Sequence, residues 1–115
     1  MGRKSNYEFL VEAGLHPVNA QVLYWMFNHK KGGVARTIEH ECRISQPQVS
    51  IALNELTAKD WLTVGPIHKE TKGRPEKAYW LAKSAEKIIS EITGDISCKI
   101  DKLYRLKFRL EEWQL

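Results

Sequence analysis

Apolar residues recur along this chain first at helical spacing, then at strand spacing, then at helical spacing again. Val18, Val22, Trp25 and Met26 stand three and four apart and are widened by Leu23 and Phe27, which predicts an amphipathic helix over residues 17–28 with Pro17 in its first turn. Upstream, Ser5 followed by Glu8 has capping-box spacing and opens a short helix over residues 6–13, closed by Gly14. Residues 30–33 read as a turn. Ile38 and Cys42, four apart, give the inward face of another short helix over residues 38–43, which Thr37 can cap. Arg43, Ile44 and Ser45 make a tight turn, with Ile44 filling the core. A further helix then runs over residues 46–59. Ser45 is its N-cap, Pro47 falls in its first turn, and Val49, Ala52, Leu53 and Leu56 form its apolar face.

The other face of that helix carries Gln46, Gln48, Ser50 and Asn54. Short, uncharged, hydrogen-bonding side chains at the front of a helix suit contact with base edges; the plain alternative is a solvated polar face. After Asp60 the pattern takes on strand character. Residues 61–64 and 78–81 are rich in β-branched and aromatic side chains, and residues 65–77 between them read as the turn of a hairpin with a basic tip. From Trp61 to Ala82, Lys69, Lys72, Arg74 and Lys77 stand against Glu70 and Glu76. A helix-turn-helix followed at once by a two-stranded ribbon is a winged helix. The expected fold class is therefore mainly α with a small β-hairpin: a winged helix-turn-helix domain over residues 5–82 and a helical dimerisation segment over residues 83–115.

In that last segment, Ile89, Ile92, Ile96, Leu103, Leu106, Leu110 and Trp113 fit a heptad register that only Lys99 breaks, and Ile100, Tyr104 and Phe108 widen the stripe. Thr93-Gly94-Asp95 interrupts it, because glycine is a poor interior helix residue and aspartate a good cap, so a kink or two successive helices are expected there. A stripe this long exceeds what a small winged-helix core can cover. Either the helix folds back on its own domain or it pairs with a second copy. Pairing is favoured, because a DNA reader with one recognition helix per chain gains affinity and site length from it.

The 115 residues amount to one domain by length, and 43% apolar residues suffice for a modest core. A formal charge of +4 permits an anionic partner without demanding one. Cys42 and Cys98 match no metal-ligand spacing; free thiols and the lack of a secretory segment or bilayer-spanning run point to a reducing, cytoplasmic setting. Cys42 fits a small core position, and His68 an exposed strand position with no second ligand at metal spacing. His29, Lys30 and Lys31 read as a solvated helix end, with an added phosphate contact as the alternative. No nucleophile–base set, phosphate loop or paired carboxylate stands out, so an enzyme is not expected, nor a cofactor or small-molecule ligand.

Residues 34–61, together with Lys72-Gly73-Arg74-Pro75, Tyr79 and Leu81, resemble the small archaeal winged-helix transcriptional regulators of the broad TrmB/ArsR/MarR-like group. The likeness covers residues 15–82, followed by a C-terminal helix typical of the group. It departs at Asp60, where many relatives carry glycine, which puts the exit turn of the recognition helix in question. Full TrmB-type proteins also carry a large effector-binding domain, which these residues do not include. The resemblance implies double-stranded DNA as partner, bound by a homodimer, with no effector indicated. Gln46, Gln48 and Asn54 are then the candidates for base contacts. Arg36, Arg43, Ser50, Lys69, Lys72 and Arg74 are the candidates for phosphate or minor-groove contacts. Ile89, Ile92, Ile96, Ile100, Leu103, Leu106, Leu110 and Trp113 would form the dimer interface. Two rival readings remain: a winged helix that docks protein within a transcription or replication assembly, and a thiol- or metal-responsive repressor seeded by His40 and Cys42. Against the second, residues two apart on a helix point to different sides.

Overall fold

The computed structural model describes residues 7–67 and 76–114. Their order is α1 (Glu8–Glu12), α2 (Pro17–Phe27), β1 (Gly33–Val34), α3 (Ala35–Cys42), α4 (Gln46–Ala58), β2 (Leu62–Ile67), β3 (Glu76–Leu81) and α5 (Ala85–Glu112). This is the expected winged helix-turn-helix, mainly α with a β-hairpin and a long C-terminal helix. The sheet is wider than a ribbon, however. β1 pairs antiparallel with β3 through Gly33–Tyr79 and Val34–Ala78, giving the order β1-β3-β2. Two residues are too few to show strand alternation, so only the pairing with β3 reveals β1.

The core gathers where α2 crosses α4. Ala20, Val22, Leu23 and Met26 of α2 meet Val49, Ala52, Leu53 and Leu56 of α4, all essentially sealed from solvent, with Ile38 of α3 and Trp61 and Leu62 after α4. Two polar bridges lock this packing. Asn19, 7% exposed, donates from Nδ2 to Glu55 Oε1 at 2.8 Å, tying α2 to α4. Trp25 Nε1 donates to Glu41 Oε1 at 2.7 Å, tying α2 to α3, and the His29 ring stacks on Trp25 with centroids 3.9 Å apart. Among the described residues no buried side-chain nitrogen or oxygen lacks a partner, as a well-formed interior requires.

α1, α3 and α4 close in the same way. Each is followed by a residue of positive φ (Gly14 at 114°, Arg43 at 58°, Asp60 at 65°), and the next amide bonds back five residues: Leu15 to Leu10, Ile44 to Glu39, Trp61 to Leu56. This is the Schellman pattern, which satisfies carbonyls the helix end leaves free. Only α1 uses glycine for it. At Asp60, flagged above as a departure, aspartate adopts the left-handed conformation that glycine would favour, so the exit turn keeps its shape.

Several helix boundaries differ from those expected. α1 spans Glu8–Glu12 with Tyr7 as N-cap and no side-chain capping bond; Ser5 and Asn6 lie outside the described residues. Thr37 does not cap α3. The helix starts at Ala35, with Val34, the last residue of β1, as N-cap in extended conformation. Strand pairing brings the chain to α3 already extended at Val34, so the helix begins before the cap signal. Ser45 is the N-cap of α4 by position, but its hydroxyl donates to Gln48 Oε1 at 3.0 Å rather than accepting from a helix amide. β2 and β3 run further than expected, with Gly65–Ala78, Pro66–Lys77 and Ile67–Glu76 as added pairs. Pro66 is tolerated because β2 is an edge strand. Gly65 leaves room for the Trp80 ring, whose Cη2 would stand 2.9 Å from an added Cβ.

The chain divides into two compact units, one through Ala85 and the other from Glu86 onward. The second is the body of α5, a continuous helix of 28 residues counted from Ala85. Neither a break nor a second helix occurs at Thr93-Gly94-Asp95. Thr93 Oγ1 donates to Ile89 O at 2.9 Å inside the helix, and the roughly 1 kcal/mol cost of one glycine is too small to end so long an element. No helix among the described residues is long and apolar enough to cross a membrane.

Candidate nucleic-acid interface

α4 is anchored by its buried line and by the Glu55–Asn19 bond to α2. Val49, Ala52, Leu53 and Leu56 hold it against α2 and α3, while Gln46, Gln48, Ser50 and Asn54 are all exposed. The structure thus puts the candidate residues Gln46, Gln48, Ser50 and Asn54 on the exposed side of one helix. They do not form a single row. At about 100° per residue, Gln46 and Gln48 lie on opposite flanks of that side, roughly 200° apart. Asn54 and Ser50 lie between them, and so do Pro47 and Ile51. Ile51 is 57% exposed. Together with Glu55 and Gln48 it forms the α4 wall of a surface hollow of about 290 Å³, whose other wall is His16, Val18 and Asn19 at the start of α2. His16 there caps α2, its Nδ1 accepting from the Val18 amide at 3.3 Å.

Ile51 and Glu55 were not singled out from the sequence, although helical spacing places both away from the Val49–Leu56 stripe. The apolar face reads as Val49, Ala52, Leu53 and Leu56, which leaves Ile51 without a role. The bond that turns Glu55 back toward Asn19 has no sequence signal.

Of the basic candidates, Arg36 and Arg43 fall among the described residues. Arg36, on the first turn of α3, pairs with Glu76 on β3 at 2.9 Å and is 71% exposed. Arg43 holds the left-handed turn between α3 and α4 and is exposed. Lys69, Lys72 and Arg74 lie outside the described residues, as does His68. Lys59, at the end of α4, stands with Nζ 5.2 Å from the Trp61 ring centroid.

Cys42 sits half-buried at the end of α3, where burial, and then the neighbouring Glu41 carboxylate, push its thiol pKa up. A protonated thiol is a poor nucleophile and ligand. Among the described residues no group of three or more His, Cys, Asp or Glu side chains gathers to hold a metal ion.

On α5, Ile92 is buried and Ile89 half-buried, whereas Ile96, Ile100, Leu103, Leu106, Leu110 and Trp113 are exposed, Leu103 at 65% and Trp113 at 87%. Tyr104 and Phe108 are exposed beside them. The uncovered part of the predicted stripe therefore begins at Ile96.

No protein-family profile matches the chain, and no curated protein sequence is significantly similar to it. Solved structures do share its fold. A possible transcriptional regulator from Methanosarcina mazei Go1 superposes with a TM-score of 0.72 at 16% identity, covering 98% of this chain and 92% of that one. A variant of MepR from a multidrug-resistant Staphylococcus aureus clinical isolate gives 0.57 at 17% identity, over 84% and 68% of the two chains. A PadR-like transcription factor from Bacteroides fragilis gives 0.50 at 20% identity, over 89% and 99%. At these identities the likeness is one of fold, the winged helix-turn-helix.

Proposed function

We propose that this chain is a sequence-specific double-stranded DNA-binding transcriptional regulator that acts as a homodimer. In this reading α4 lies in the major groove, and the segment between β2 and β3 tracks the phosphate backbone or enters the minor groove. The observation that carries it is α4 itself. A helix pinned by four buried side chains turns Gln48, Ser50 and Asn54 outward, with no cationic side chain before Lys59. Its structural neighbours bear the names of transcription regulators, which favours DNA as the partner over a protein surface.

Gln46, Gln48 and Asn54 suit paired contacts to adenine, and Ser50 a phosphate oxygen. Affinity would come from elsewhere, because α4 carries little charge. Arg43, Lys69, Lys72 and Arg74 are the phosphate or minor-groove candidates. Arg36 joins them by exchanging its exposed pairing with Glu76, a type of bond worth at most about 1 kcal/mol, for a phosphate. The exposed stripe of α5 from Ile96 to Trp113 would be covered by the same stripe of a second chain. Two recognition helices would then meet a pseudo-palindrome with half-sites roughly 34 Å apart.

The direct test is a mobility shift of the full chain on a pool of randomised duplexes with unlabelled competitor DNA. A retarded band that survives competitor and yields an enriched sequence supports the reading. Retention lost at the same competitor level for every sequence would reduce it to non-specific binding. In the same assay Arg74→Ala should weaken binding to all sequences and flatten the salt dependence by about one counterion.

A further inference from the structure

On the outer face of α4, the geometry points to Ile51 as a specificity-determining residue that packs against the C5-methyl group of one thymine in each half-site. The inference rests on the DNA-reading function proposed above and names part of what that function reads.

The buried line of Val49, Ala52, Leu53 and Leu56 defines the inner side of the helix. Pro47 lies diametrically opposite, at the centre of the outer side, and a helix entering a groove points that side deepest. Gln46 and Gln48, at the flanks, come closer to the groove walls. Ile51 and Asn54 flank that centre at about 30° on either side; Asn54 is polar, and Ile51 is the apolar one, 57% exposed. Among the described residues it lines the open hollow whose far wall is His16, Val18 and Asn19. Ile38, at the centre of the neighbouring helix, is fully buried, so exposure is a feature of this position and not of isoleucine in the motif.

Chemistry then narrows the occupant. Major-groove edges present hydrogen-bond donors and acceptors at all four base pairs, but the thymine methyl is the apolar group among them. Beside Ile51, Glu55 carries a carboxylate held by Asn19 at 2.8 Å on the rim of the same hollow. That charge repels a phosphate and, as an acceptor, suits the amino group of an adenine or cytosine beside the contacted base rather than the contacted base itself. The contact of Ile51 is then set by its apolar surface, and among the four bases thymine offers the methyl that an isoleucine can cover.

The test begins with the duplex enriched by the full chain from a randomised pool. Each thymine is replaced in turn by uracil, in both half-sites, which keeps base pairing and removes only the methyl. Dissociation constants follow from fluorescence anisotropy for the wild type, Ile51→Val and Ile51→Ala. At one thymine the wild type should lose roughly fourfold per methyl, the effect of returning one methyl-sized group to water. Ile51→Val should keep most of that loss, and Ile51→Ala should be indifferent to the replacement, with its salt dependence unchanged. Because Ile51 is exposed, neither variant disturbs the core. Equal uracil effects in wild type and Ile51→Ala at every thymine overturn the inference alone, as does an enriched site without thymine. A failure to bind any duplex overturns the proposed function and this inference with it.

Discussion

At the scale of single residues, the turn after α4 makes a direct prediction. Asp60 holds φ at 65°, so Asp60→Gly should leave stability within about 1 kcal/mol, because the strain relieved and the chain entropy added nearly cancel. Asp60→Val should lose roughly 1–2 kcal/mol, since a β-branched residue is a genuine outlier there. Urea denaturation followed by circular dichroism separates the two. The cysteines give a second prediction. Cys42 is half-buried with a raised pKa, and Cys98 is exposed on α5. At pH 8 a disulfide reagent should label Cys98 first, and Cys42 should catch up only as the pH climbs and its thiol ionises. Equal rates would mean that the end of α3 opens freely.

At the scale of elements, α5 offers a clean measurement. A Cβ built at Gly94 meets nothing within 4 Å, so Gly94→Ala should stabilise α5 by up to about 1 kcal/mol, through propensity alone. Thermal melting of the two proteins reads this, and an unchanged or lower midpoint would contradict a free, continuous helix at that point. What the sequence revealed of the elements followed their physics. α2 and α4 were legible because Val22, Met26, Val49, Leu53 and Leu56 put buried apolar groups at helical spacing, where one rule sets both pattern and packing. β1 was not, because Gly33 and Val34 are strand only through Tyr79 and Ala78. The start of α3 was misplaced because sheet pairing, a tertiary effect, outranked the local cap at Thr37. The expected break at Gly94 was wrong because a modest local cost was set against the bonds of a whole helix. On α4, the polar candidates and the position of Ile51 opposite the Val49–Leu56 stripe were both legible from helical spacing, but that Ile51 stays 57% exposed is known only from the packed structure.

At the scale of the whole molecule, duplication is the claim that joins the two parts of the proposal. The apolar positions of α5 from Ile96 to Trp113 are exposed in the single chain, a large patch for a protein in water. Analytical ultracentrifugation of the wild type should give the dimer mass, and Leu103→Glu with Leu110→Glu the monomer mass. Both positions are exposed, so the variant keeps its fold. Its DNA affinity should fall steeply, because one recognition helix then works alone. A monomeric wild type would contradict the pairing. The central claim, that the outer face of α4 chooses the sequence, is tested most directly by sequencing the duplexes enriched by the wild type and by Gln48→Ala combined with Asn54→Ala. The wild type should enrich an adenine-bearing pseudo-palindrome, while the double variant should still bind DNA but lose preference at those adenines, by roughly 1–3 kcal/mol for each paired contact removed. An enriched site identical for the two proteins would contradict the claim.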